Sequence, residues 1–289
     1  MPHQLDLGDF RARRSVLDPA DFALGSDAPE AAPTGLISEK VWREIMTLPD
    51  DVLIRTTGHD GRWIELLYRL RSNWLGCMPK QGILFEAMLD VLEDLDAALF
   101  SLMHGYYRQS ITACRDALEL MTFACMCDLY GEAHRWTDWQ AGKENFSFRD
   151  NCVRIARHET MRSLETIAQH TYGSEVSLLP ADYEADAAQN AWITNLHGRL
   201  CEYAHPRGTN GKLWSSNGPV YSTEGMAVCC DAYLECFSAL MLLARIAGEG
   251  LKIPDDAGFL YDPQTIEQYM PAEFHALCTY YGNTLLYAK

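Results

Sequence analysis

The stretch HGRLCEYAHPRGTNG (His197 to Gly211) concentrates residue types that carry chemistry. Pro206 disfavours helical backbone at the residue before it, so His205 is expected to end a helix. A helix C-terminus favours imidazolium. A histidine that exists in both protonation states near neutral pH suits general acid–base work. Arg199 lies six residues earlier, about 120° away around an ideal helix. The break at His205 lets the two side chains turn towards one anion. The segment that follows, PRGTNGKLWSSNGPVYS, carries Arg207, Lys212 and Trp214. Between His197 and Trp214 three arginine or lysine residues stand against one acid, Glu202. Tyr203 and Trp214 add aromatic surfaces on which bases can stack. The chemistry these types imply is the binding of a phosphodiester and proton transfer to and from it, with Arg199 and His205 as the catalytic pair and Tyr203, Arg207, Lys212 and Trp214 as substrate contacts.

Other titratable groups read as support. Arg115 and Glu119 are four apart and share a helix face, which predicts an ion pair at the edge of the core. Asp231 and Glu235 repeat that spacing on a largely apolar helix and need partners there. A network of these four that fixes helix register is the expectation. A di-iron bundle requires two Glu-x-x-His motifs and two further glutamates. Only Glu202–His205 has that spacing, so neither a metal nor another cofactor is expected. No glycine-rich phosphate loop of the nucleotide-binding types is present.

These residues must be positioned by helices. In YYRQSITACRDALELMTFACMCDLYG, the residues Tyr107, Ile111, Cys114, Leu118, Met121 and Cys125 alternate spacings of four and three. That seam predicts close antiparallel packing against another helix. Cys230, Leu234, Phe237, Met241 and Ala244 repeat the rhythm and supply the partner. Ser38 is a candidate N-cap. Further helices are predicted near 62–74, across GILFEAMLDVLEDLDAALFSLMHG up to a break at Gly105, through HRWTDWQAG, near 148–158 and 159–172, from about Ala181 to Ala204, and at 263–281 with a kink at Pro271. No alternating strand pattern is evident. The expected fold is an all-α helical bundle with long antiparallel helices. Residues 1–36 are expected to form an arm or linker, and 37–289 a single helical domain.

Arg199-x(5)-His205 at a helix end resembles the Arg-x(4–6)-His motif of the HEPN superfamily. A longer stretch, from GYYRQSITACRDALEL through WTDWQAG to LHGRLCEYAHPRG, resembles a set of bacterial helical proteins of abortive-infection type. The matching residues are Arg115 and Glu119, Trp139 and Gly142, and Leu200 to His205, with Cys201 where serine is usual. The resemblance implies a HEPN-like bundle, often a dimer with its site at the interface. It also implies a metal-independent endoribonuclease or toxin-type effector, of the kind paired with an antitoxin or used in antiviral defence. In such an enzyme the RNA 2′-hydroxyl is the nucleophile, His205 the acid or base and Arg199 the stabiliser of phosphorane charge. It further implies that Cys201 is a small packing residue. The alternative is a non-catalytic helical interaction or scaffold protein, oligomeric and with an acidic surface.

Bulk properties narrow the partners. The formal net charge of −16 repels nucleic-acid phosphates and anionic membranes except at a locally basic site. RNA at one such site fits; non-specific DNA binding and membrane association do not. The N-terminus lacks the apolar region of a signal peptide, which predicts a cytoplasmic protein whose ten cysteines are reduced. Most of them fall in apolar helical patterns, where free cysteine serves as a small core residue.

Overall fold

The structure, a computed structural model, describes residues 37–172, 174, 176–180, 191–204 and 219–247. The expected arm (1–36), the helix at 263–281 and the site residues His205, Arg207, Lys212 and Trp214 lie outside the described residues. Within them the chain is an all-α bundle without a strand. Ser38 caps a short helix, α1 (Glu39–Trp42), by accepting from the Val41 N–H at 3.3 Å. A π-type turn (Arg43–Thr47) leads into α2 (Leu48–Cys77). Then follow α3 (Ile83–Met103), α4 (Tyr107–Leu129), α5 (Ala133–Gln140), α6 (Phe148–Arg157), α7 (Glu159–Tyr172), α8 (Trp192–Ala204) and α9 (Thr223–Ala247).

Helix α9 is largely apolar around its circumference and accordingly is almost wholly enclosed. Its apolar window is long enough to cross a membrane by composition, but 94% of it is buried inside the bundle. It packs along α4, with every residue of the predicted seam buried on both helices. The direction differs from the expectation. The Cys229 thiol donates to the Tyr107 carbonyl at 3.3 Å, and the Cys236 thiol to the Cys114 carbonyl at 3.1 Å. Both pairs are separated by 122 residues, so the two helices run parallel. A heptad stripe specifies which face is buried but is indifferent to the direction of the partner.

Antiparallel packing is found instead along α2, α3 and α4. Trp74 of α2 donates its indole N–H to the Met88 carbonyl of α3 at 2.9 Å, and Arg71 clamps Asp96 with two bonds of 2.6 Å. Gly105 reverses the chain between α3 and α4 at φ 77°, a conformation that strains a side-chain-bearing residue. A Cβ there would also lie 2.5 Å from the Val220 carbonyl oxygen. Helix α2 starts before the predicted 62 and is kinked at Asp60 (φ −117°, ψ 17°).

The α5–α6 unit is anchored by aromatic contact. Phe123 stacks on Phe146 at 4.8 Å between centroids and lies 5.8 Å from both Trp136 and Trp139. Gly142, φ 69°, ends α5 by donating to the Trp139 carbonyl at 2.8 Å, which accounts for the Trp-x-x-Gly spacing. Arg154 and Arg135 grip Glu132 beside it.

Candidate functional site

Helix α8 lies against α4 and presents His197 and Cys201 to it, four residues apart and so on one face. His197 Nε2 meets Glu119 Oε1 at 2.6 Å. The same oxygen accepts from Arg115 Nη2 at 2.6 Å, as the four-residue spacing anticipates. The Phe148 ring of α6 stacks on the imidazole at 3.8 Å and 17°. Cys201 Sγ lies 3.8 Å from Nδ1 and 3.6 Å from Nε2. Near-equal distances put the sulfur over the ring rather than along the in-plane axis of either nitrogen. The imidazole is thus held between Phe148 and Cys201, with Glu119 at its edge.

The charges are mutually supporting. Burial disfavours the Glu119 carboxylate, but the His197 hydrogen bond and the Arg115 charge outweigh it, and its pKa falls below the usual range. Burial likewise opposes imidazolium at His197, and contact with Cys201 and Glu119 outweighs it, so its pKa is raised. For Cys201, burial raises the pKa, while contact with His197 and the nearby positive charge of Arg115 bring it below the ordinary thiol value.

Arg199 points elsewhere. Two residues on from His197, it is about 200° around the helix. Its Nη2 donates to Glu235 Oε1 at 2.5 Å and its Nε to Asn195 Oδ1 at 3.0 Å. Trp192 Nε1 donates to the same Glu235 oxygen at 2.9 Å. The four acid and base residues expected to form one network therefore divide: Arg115 and Glu119 join His197 between α4 and α8, and Glu235 joins Arg199 between α8 and α9. Asp231 is buried one turn before Glu235. Glu202 is exposed, and Tyr203 is half-buried against the core.

The segment from 205 to 218 is bounded by two described anchors. The Ala204 carbonyl, which belongs to the peptide leading into residue 205, accepts from Arg108 Nε at 3.1 Å and Nη2 at 2.8 Å. At the far end, Ser222 donates its backbone N–H to the Tyr107 hydroxyl at 2.9 Å, and Tyr221 donates its hydroxyl to Asp60 Oδ2 at 3.0 Å. The His59 ring stacks on Tyr221. Both ends are therefore fastened to adjacent residues, 107 and 108, at the start of α4. Among the described arginines, Arg108 and not Arg199 bonds the Ala204 carbonyl. His197 and Ala204 are seven residues apart, about 10 Å along α8.

Glu119, His197 and Cys201 bring one donor atom each within 4.8 Å of one another. The Arg115 guanidinium is bonded to Glu119 and brings positive charge to this cluster. The cluster forms an ion network between α4 and α8. No family model matches the chain, and no curated protein or solved structure does. Arg108 and His197 are the site residues that sequence reasoning missed. Arg108 reaches across 96 positions and His197 across 78, and no local spacing encodes such contacts.

Proposed function

We propose that the chain is a metal-independent endoribonuclease of HEPN type, with Arg108 in the role first assigned to Arg199. The observation that supports this reading is the pinning of both ends of the basic segment to Tyr107 and Arg108. That segment contains His205, Arg207, Lys212 and Trp214. In this reading RNA supplies the 2′-hydroxyl nucleophile and His205 moves the proton. Arg108, next to the His205 peptide, neutralises charge building on the phosphorane. Arg199, committed to Glu235 and Asn195, holds α8 against α9. The His197–Glu119–Arg115 network keeps α8 seated on α4.

The test is cleavage of single-stranded RNA by the purified protein in chelator, with analysis for 2′,3′-cyclic phosphate ends. H205A is expected to lower the rate by roughly 10²–10⁴-fold, the usual worth of a general acid or base. R108A is expected to lower it severely while thermal unfolding still reports a folded bundle. Cleavage that survives H205A would remove the proposed site.

A second reading, the non-catalytic assembly protein, has one observation in its favour. Tyr68 and Leu75 of α2 are exposed (56% and 49%) and seven residues apart, and Ile54 is exposed (67%) before the kink. Under that reading the parent protein leaves RNA intact and self-associates through α2.

A further inference from the structure

We propose that Cys201 is a modification site: a thiolate that reacts with hydroperoxides, set apart from the other cysteines by its neighbours and its access to solvent. Among the described residues the other eight cysteines are buried, and Cys201 alone is half-exposed. The same separation holds electrostatically: burial pushes the Cys77 thiol up to about 11 and the Cys127 thiol up to about 12. Around Cys201 the balance reverses. The His197 ring lies against the sulfur from one turn back on α8, and the positive charge of Arg115 on α4 adds to that of His197 in favouring the thiolate. Glu119 and Asp116, also on α4, are each bonded to Arg115, at 2.6 Å and 3.2 Å. Helix α6 contributes the uncharged Phe148 ring on the imidazole. Thiolate is the nucleophilic form of cysteine, and reactive cysteines sit in such partly exposed, electropositive surroundings.

The reaction follows from these groups. The sulfur lone pair attacks the distal oxygen of a hydroperoxide, forming the S–O bond as the O–O bond breaks. Sulfur is oxidised by two electrons and the peroxide is reduced. The departing hydroxide or alkoxide takes the proton of the His197 imidazolium, leaving cysteine sulfenic acid, neutral His197 and water or an alcohol. The added oxygen sits on the sulfur that packs against the His197 ring. Oxidation therefore disturbs the contact that holds α8 on α4.

This inference does not depend on ribonuclease activity, and its readout is the mass of the Cys201 peptide. The intact protein is alkylated with iodoacetamide across a pH series, with glutathione as the free-thiol reference. A parallel sample is treated with hydrogen peroxide and then dimedone. The expected result is alkylation at neutral pH faster than that of glutathione, and a dimedone adduct on the Cys201 peptide. R115M is expected to slow alkylation at neutral pH by roughly tenfold, the effect of one pKa unit on the thiolate fraction. H197Q should slow it as well, and R115K should restore part of the rate. Four outcomes would overturn the proposal: a Cys201 rate no faster than that of glutathione, a rate indifferent to R115M, a dimedone adduct confined to other cysteines, or alkylation that begins only after a chelator strips a bound metal.

Discussion

Gly225 offers a test in which two well-understood effects have opposite signs. It lies in the first turn of α9, directly over the Tyr107 ring of α4. A Cβ added there would sit 2.5, 2.6 and 2.9 Å from three ring carbons. The ring has little room to retreat. Tyr107 is 1% exposed, and its hydroxyl is bonded to the Ser222 N–H at 2.9 Å. Replacing glycine by alanine in an exposed helix interior stabilises by up to about 1 kcal/mol. Forcing a methyl group into a filled core costs about 1–3 kcal/mol. Displacing the ring far enough to break the Ser222 bond adds about 1 kcal/mol. G225A is therefore expected to be less stable by about 1–3 kcal/mol. In a chain of this size that is a loss of roughly 2–5 °C in Tm. Urea denaturation followed by circular dichroism, with unchanged m, measures it directly. Y107L should recover part of the loss, because all three close contacts are to the ring. A G225A protein as stable as the parent or more so would refute the close parallel approach of α4 and α9 at this end.

Two further expectations concern charge. E235A removes the acceptor shared by Arg199 and Trp192 and should destabilise by about 2–3 kcal/mol. R199M leaves a buried carboxylate, and the double variant should be less damaged than the two single losses added together, which a urea double-mutant cycle reports. Asp94 is raised to about 7, by burial first and then by the charges of Asp116, Asp90 and Glu93. A raised folded pKa means that the folded state holds a proton the unfolded chain has released. The Asp94 contribution is thus full below its unfolded value near 3.8 and is lost as pH rises towards 7. D94N should flatten stability against pH between about 4 and 7. An unchanged slope would show that Asp94 titrates normally.

The elements that were legible from sequence are those whose signal is local. The heptad residues of α4 and α9 are all buried. Gly105 marks the turn, and Arg115 and Glu119 pair because four residues make one helical turn. The direction of the α4–α9 pairing was not legible, since knobs at every third and fourth residue read alike both ways. The kink at Asp60 was missed because no proline marks it; the kinked residue carries the Tyr221 hydrogen bond, which joins positions 161 residues apart. The candidate site divides along the same line. Arg199 stood out by its spacing from His205, yet its partner Glu235 is on another helix. His197 looked incidental until α4 brought Glu119 to it.

The constant offset between α4 and α9 bears on how the chain is made. The two central helices are sequential neighbours in neither order nor time, because 122 residues separate each bonded pair. At about 5–20 residues per second, a ribosome that has finished one member of such a pair takes roughly 6–24 s to complete the other. For that interval the apolar seam of α4 has no native cover on its α9 side. The growing chain must shield it with transient contacts or a chaperone, and the bundle's centre closes only once the late helix has left the exit tunnel.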